Sequence, residues 1–136
     1  MPVERTAAWA TLSASGEQTI HTSHGDLGAQ GPAASPLGAV DLVAAAVAVE
    51  LLHAFSVEAH QLSLDWSEAE VTVDVERGDR PRRITLVEYQ MRVTTDDEAL
   101  TEIASHRLEA HAPILATLTA VADHTGHVLR KRPDHH

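Results

Sequence analysis

Glu50 and His53 lie three residues apart in residues 42–55 (LVAAAVAVELLHAF), and every other position of that segment is apolar. On a helix this spacing puts both side chains on one face. A carboxylate in such surroundings is costly to bury unless something pairs with it. Two readings follow. Glu50 caps or pairs with His53, His111 or Arg107, and is structural. Alternatively, Glu-x-x-His on a buried helix forms part of a metal site, as in carboxylate-bridged metal centres. A single copy of the motif favours the structural reading, whereas a dimer with the site at its interface would double the donor set.

Other chemistries find less support. The chain contains no cysteine, which excludes disulfides, thiol nucleophiles, cysteine metal ligands and iron–sulfur clusters. It has no Gly-rich phosphate loop, no Gly-x-Ser-x-Gly elbow and no His-Glu-x-x-His. Ser56 and His60 share a helix face, but no third group orients them. The ten histidines are scattered. His21 and His24 border a Gly/Pro loop, His124 and His127 flank Gly126 in an expected loop, and His135 and His136 end the chain. Most of these read as surface residues.

The elements that must position Glu50 are legible from pattern. Residues 3–13 and 17–23 form a hairpin about Ser15-Gly16. Residues 24–38, with four Gly and two Pro, form a loop. A helix opens at Ser35-Pro36, or alternatively at Asp41 after Gly38, and runs to about His60. Its first half is apolar nearly all round, the mark of a central helix. Val71, Val73 and Val75 alternate with Glu70, Thr72, Asp74 and Glu76, and Val87, Tyr89, Met91 and Val93 do the same after a turn at residues 78–81. Those two runs are an antiparallel pair. Thr95-Asp96-Asp97-Glu98 reads as a capping box opening a helix that turns Leu100, Ile103, Ala104 and Leu108 inward and ends near Ala110. Pro113 starts a shorter helix reaching about Ala122; Gly126 breaks it, and residues 127–130 add an edge strand. Trp9 and Trp66 read as core or interface anchors. The fold class is α+β, a single domain over residues 1–136.

Composition bounds the partners. With 20 acidic against 10 basic residues the net charge is −10, which disfavours nucleic acid and anionic lipid. The basic groups, Arg77, Arg80, Arg82 and Arg83, then Arg130, Lys131 and Arg132, read as solvated loops. The longest unbroken apolar run, residues 42–49, is far short of a membrane span, and the N-terminus has no signal-like apolar stretch. The expectation is a soluble cytoplasmic protein. Aromatic residues make up 3% of the chain, so the core is built from Ala, Val and Leu, and small side chains on the long helix permit close pairing with a second copy.

The element order and two short segments resemble the OsmC/Ohr family, the osmotically inducible and organic-hydroperoxide-resistance proteins. Ser35-Pro36 followed by DLVAAAVAVELLHAF is similar to the family helix Pro-x-Glu-Leu-Leu-x-Ala-Ala, which ends on a peroxidatic cysteine. Ala112-Pro113-Ile114 with Thr117-Leu118 is similar to the segment Cys-Pro-Val…Thr-Leu at the resolving cysteine. The resemblance covers nearly the whole chain. It implies an OsmC-like fold, an antiparallel sheet wrapped around a long central helix and paired as an intertwined homodimer. It also implies that Glu50 stands at the peroxidatic position and Ala112 at the resolving one. The family's catalytic arginine falls in a turn where this chain has Gly16-Glu17, and the Ohr glutamate falls at Val40. Because the family packs its two cysteine positions together, His111 is expected beside Glu50 and His53.

Thiol peroxidation needs a thiolate and a second thiol to regenerate it, so the family reaction does not carry over. Three functions remain open at this point: a small-ligand-binding or stress-related protein with an interfacial pocket near Glu50 for an apolar molecule; a metal-binding protein or enzyme using Glu50, His53 and His111; and a structural paralogue without chemistry. No cofactor is expected on the first and third readings.

Overall fold

The computed structural model describes residues 4–26, 38–79 and 82–133. The Ser35-Pro36 helix start, most of the Gly/Pro loop, Arg80-Pro81 and His135-His136 lie outside them.

The described residues form six strands, β1 (Glu4–Ser13), β2 (Gln18–Thr22), β3 (Gly25–Asp26), β4 (Glu68–Asp79), β5 (Arg82–Thr94) and β6 (Asp123–Lys131), in one sheet of order β3-β2-β1-β4-β5-β6. Gly16, with φ of +97°, closes the β1–β2 turn in a conformation that costs other residues a steric penalty. In β4 the predicted alternation holds: Ala69, Val71, Val73 and Val75 are buried beneath the helices. β5 contributes Val87, Tyr89, Met91 and Val93 to the same layer.

The sheet differs from the expected antiparallel arrangement in one ladder. β6 pairs parallel to β5, Leu86 against Asp123 through Thr94 against Lys131. The reason lies in the connection: β5 and β6 are joined by α2 (Glu98–Arg107), a 3-10 helix (Leu108–His111) and α3 (Pro113–Thr119). A crossover of that length brings the chain back in the same direction. β6 is an edge strand as expected but begins earlier, so His124 and His127 are strand residues and Gly126 is not a helix breaker. The basic groups also belong partly to strands. Arg130 Nη1 donates to the Thr95 carbonyl at 3.3 Å, and its side chain is only 18% exposed.

α1 (Ala39–Gln61) packs across β1 and β4. Leu51, Leu52, Phe55, Val47 and five alanines of the helix lie fully buried. Burial of a Leu- or Phe-sized side chain is worth about 1.5–3 kcal/mol, so this face anchors the domain. Of the two predicted starts, the one after Gly38 lies among the described residues: the Asp41 carboxylate accepts the Gly38 N–H at 2.8 Å and holds His24 Nδ1 at 2.8 Å, tying the helix start to the β2–β3 hairpin. By length and composition α1 could cross a membrane, a point that unbroken run length alone missed, but half of its most apolar window is buried within the domain.

Smaller corrections concern α2 and the tryptophans. The cap of α2 is Asp97, which accepts the Leu100 N–H at 2.9 Å; Thr95 instead donates to the Asp65 carbonyl. Ile103, expected inward, is partly exposed because the α2 stripe follows Thr101, Ala104 and Leu108. Trp66 packs edge-on against Phe55 at 5.1 Å. Trp9 lies outside the core, 43% exposed on the outer sheet face and stacked on His21.

Candidate functional site

Glu50 faces the start of α3. Its Oε2 accepts the Ile114 N–H at 2.8 Å and its Oε1 the Leu115 N–H at 2.9 Å. Pro113 occupies the first helical position, where no N–H is needed, so the next two amides are the first with no partner in the turn. The carboxylate satisfies both. It also places negative charge at the positive end of the helix. Glu50 thus reaches the helix that follows Ala112, the other position the family resemblance assigns to a thiol, and Ala112 is buried.

The other two expected partners are placed differently. His53 is exposed on α1 and makes no bond to Glu50. His111, at the end of the 3-10 helix, places Nε2 at 2.6 Å from Oε1 of Glu58. Arg107, a sequence candidate for pairing Glu50, also turns to Glu58, with Nη1 at 4.0 Å from Oε2.

Glu58, like Asp41 at the start of the helix, is a deeply buried carboxylate, its side chain 4% exposed. Its Oε2 has no hydrogen-bond partner among the described residues. Sequence reasoning passed over this residue. The available signal was spacing: Leu51, Ala54, Phe55 and Glu58 recur every three or four residues, and all four are buried.

Beside these residues an apolar groove of about 560 Å³ opens along α1. Leu42, Ala45, Ala46 and Val49 form its floor, and Pro113 and Ile114 form a wall. Glu50, His53 and His111 are its polar members. The apolar floor residues precede Glu50 and His53 along the helix. At about 1.5 Å per residue the floor runs some 16 Å from Leu42 to His53, apolar at one end and polar at the other. Leu42 and Ile114 are each close to half exposed, so the apolar surface continues to the rim. Among the described residues no three His, Asp or Glu side chains are grouped to hold a metal ion. The donors that could have formed one are divided between backbone amides, solvent and Glu58.

A second polar cluster, also missed from sequence, ties the 3-10 helix to the sheet. Tyr89 Oη donates to Glu109 Oε2 at 2.8 Å, and His124 Nε2 lies 2.8 Å from Glu109 Oε1. Burial, followed by the bond to the Glu109 carboxylate, raises the Tyr89 phenol well above the ordinary tyrosine value. Gly126 on β6 lies directly against the ring: a Cβ there would sit 2.1 Å from Cζ.

No protein-family model and no curated protein sequence matches the chain. Its backbone is nonetheless similar to several solved structures. An organic hydroperoxide resistance protein from Elizabethkingia anophelis superposes with a TM-score of 0.64 at 13% identity, covering 96% of this chain and 97% of that one. An OsmC-like protein from Mycoplasma pneumoniae gives 0.61 at 13% identity, over 95% of this chain and 98% of its own. A protein from Psychrobacter arcticus described as a response protein for osmotic stress and detoxification gives 0.61 at 16% identity, over 85% and 82%. The chain has the OsmC/Ohr fold, and it has that fold without a single cysteine.

Proposed function

We propose that this protein binds a small apolar ligand in the α1 groove and has no thiol peroxidase activity. The observation that carries this reading is the engagement of Glu50. At the position matched to the reactive thiol stands a carboxylate with both oxygens hydrogen-bonded to α3, beside an apolar groove left open. The residue locks two helices together instead of attacking a substrate. Ligand pockets are commonly apolar with a few polar groups at defined places, and the groove has that composition.

A second copy of the chain closes the groove in this reading. The rim residues Leu42 and Ile114 leave apolar surface on the face of α1 turned away from the sheet, and small side chains there allow close approach. The protein would then be a soluble cytoplasmic homodimer in a stress-related role, acting by binding.

The test is a titration with the neutral dye Nile red, followed by fluorescence. Saturable binding lost on Ala46→Phe, which fills the groove floor, is the expected result. Turnover of an organic hydroperoxide with a dithiol reductant, or no saturable dye binding, overturns it.

A further inference from the structure

The Glu58–His111 pair gives the groove a chemical preference. Glu58 is buried, its Oε2 lacks a hydrogen-bond partner among the described residues, and Arg107 stays 4.0 Å away. A buried carboxylate in that condition is best compensated by a full positive charge close by. Among the described residues only His111 hydrogen-bonds to it, through Nε2 at 2.6 Å. Charging the imidazole adds an N–H at Nδ1, and no described residue accepts a bond from that nitrogen. The His111 side chain is 36% exposed and lines the groove. The other ionisable groups around it are committed or open to solvent. Glu50 holds the α3 amides, Glu109 is held by Tyr89 and His124, and His53 is exposed.

We infer that the groove takes an apolar weak acid, such as an aliphatic carboxylate, whose head group pairs with His111 while Glu58 backs the imidazole from behind. The acid binds as its anion together with one proton from solvent. The proton resides on Nδ1 of His111, Nε2–H remains on Glu58, and the ligand oxygen accepts from Nδ1–H. The bound anion and the added proton cancel, so the net charge of the ligand–His111–Glu58 set stays at −1, in the order in which a carboxylate supports an imidazolium in acyl-transfer enzymes. The inference rests on the proposed apolar-ligand reading of the groove.

Decanoate and decanol separate the two. Isothermal titration in buffers of differing ionisation heat, from about pH 5 to about pH 8, covers the range of imidazole exchange. Expected is proton uptake with decanoate that rises toward one per ligand at the upper end, where its Kd grows by about tenfold per pH unit. Decanol should bind with no proton uptake and no pH dependence. His111→Gln should abolish the uptake and weaken decanoate selectively. Should that variant unfold around the stranded Glu58, the Glu58→Gln/His111→Gln pair, with decanol binding as the check on fold, supplies the same comparison. Decanoate binding without proton uptake, or uptake that survives His111→Gln and vanishes in His53→Gln, overturns the inference and leaves the apolar-ligand reading standing. Failure of both probes to bind overturns both.

Discussion

Oε1 of Glu50 accepts the backbone N–H of Leu115 at 2.9 Å, so a side chain from the middle of the long helix caps a helix that begins sixty-three residues later. A remote cap of this kind couples two elements that local sequence cannot couple. Glu50→Ala leaves two amides without an acceptor and is expected to lower stability by about 1–2 kcal/mol, the range measured for lost helix caps. Glu50→Gln keeps one acceptor oxygen and should lose roughly half as much. Urea denaturation of the three proteins checks the order; an alanine variant as stable as the parent would show that the cap contributes nothing.

The buried pair behind the groove predicts a different pattern. His111→Leu strands the Glu58 carboxylate with only Arg107 at 4.0 Å, and with His111 itself partly exposed the expected loss is about 2–3 kcal/mol. Replacing both partners, Glu58→Met with His111→Leu, removes the buried charge and should regain most of that loss. A double-mutant cycle by denaturant melts reads the coupling. Additive losses would mean the two side chains do not depend on each other.

Gly126 gives the third prediction. In sequence it looked like punctuation after a helix; in the sheet it is the space into which the Tyr89 ring fits. Gly126→Ala drives a methyl to 2.1 Å from Cζ of a buried ring whose hydroxyl is held by Glu109, so the ring has little freedom to withdraw. A destabilisation of about 1–3 kcal/mol is expected for overpacking of this sort, with Tyr89→Val relieving it in the double variant. A thermal melt of Gly126→Ala that matches the parent would contradict the fit.

Much of the fold was legible because its signals are local. The alternation of residues 70–76 and 87–93 and the Ser15-Gly16 turn each place an element without help from distant residues. The direction of β6 was not, since it is decided by the crossover and not by the strand's own composition. The site was half legible. Glu50 and His111 do line one groove, and the family resemblance brought them together. Their bonding partners, though, are Leu115 and Glu58, at 65 and 53 residues of separation. Glu58 itself was hidden by its neighbours: a glutamate followed by Ala-His-Gln looks like a solvated helix end until the stripe through Leu51 and Phe55 is extended to it.

The last prediction uses the one tyrosine of the chain, which makes its ionisation an unambiguous signal. Burial and the Glu109 carboxylate both favour the neutral phenol in the folded protein, so its pKa is raised on folding. A raised folded pKa means that the folded state holds its proton more tightly than the unfolded chain. The stabilisation is therefore complete below about pH 10, where an unfolded tyrosine begins to ionise, and is lost progressively above it. Phenolate absorbance should stay absent in the native protein past that point and appear together with unfolding. In Glu109→Gln the phenol loses the carboxylate but keeps its burial, so phenolate should form at lower pH than in the parent while remaining delayed relative to the denatured chain. Stability of Tyr89→Phe should lack this alkaline decline. Native Tyr89 that ionises at the pH of a free tyrosine would remove Glu109 and burial together as the forces holding its proton.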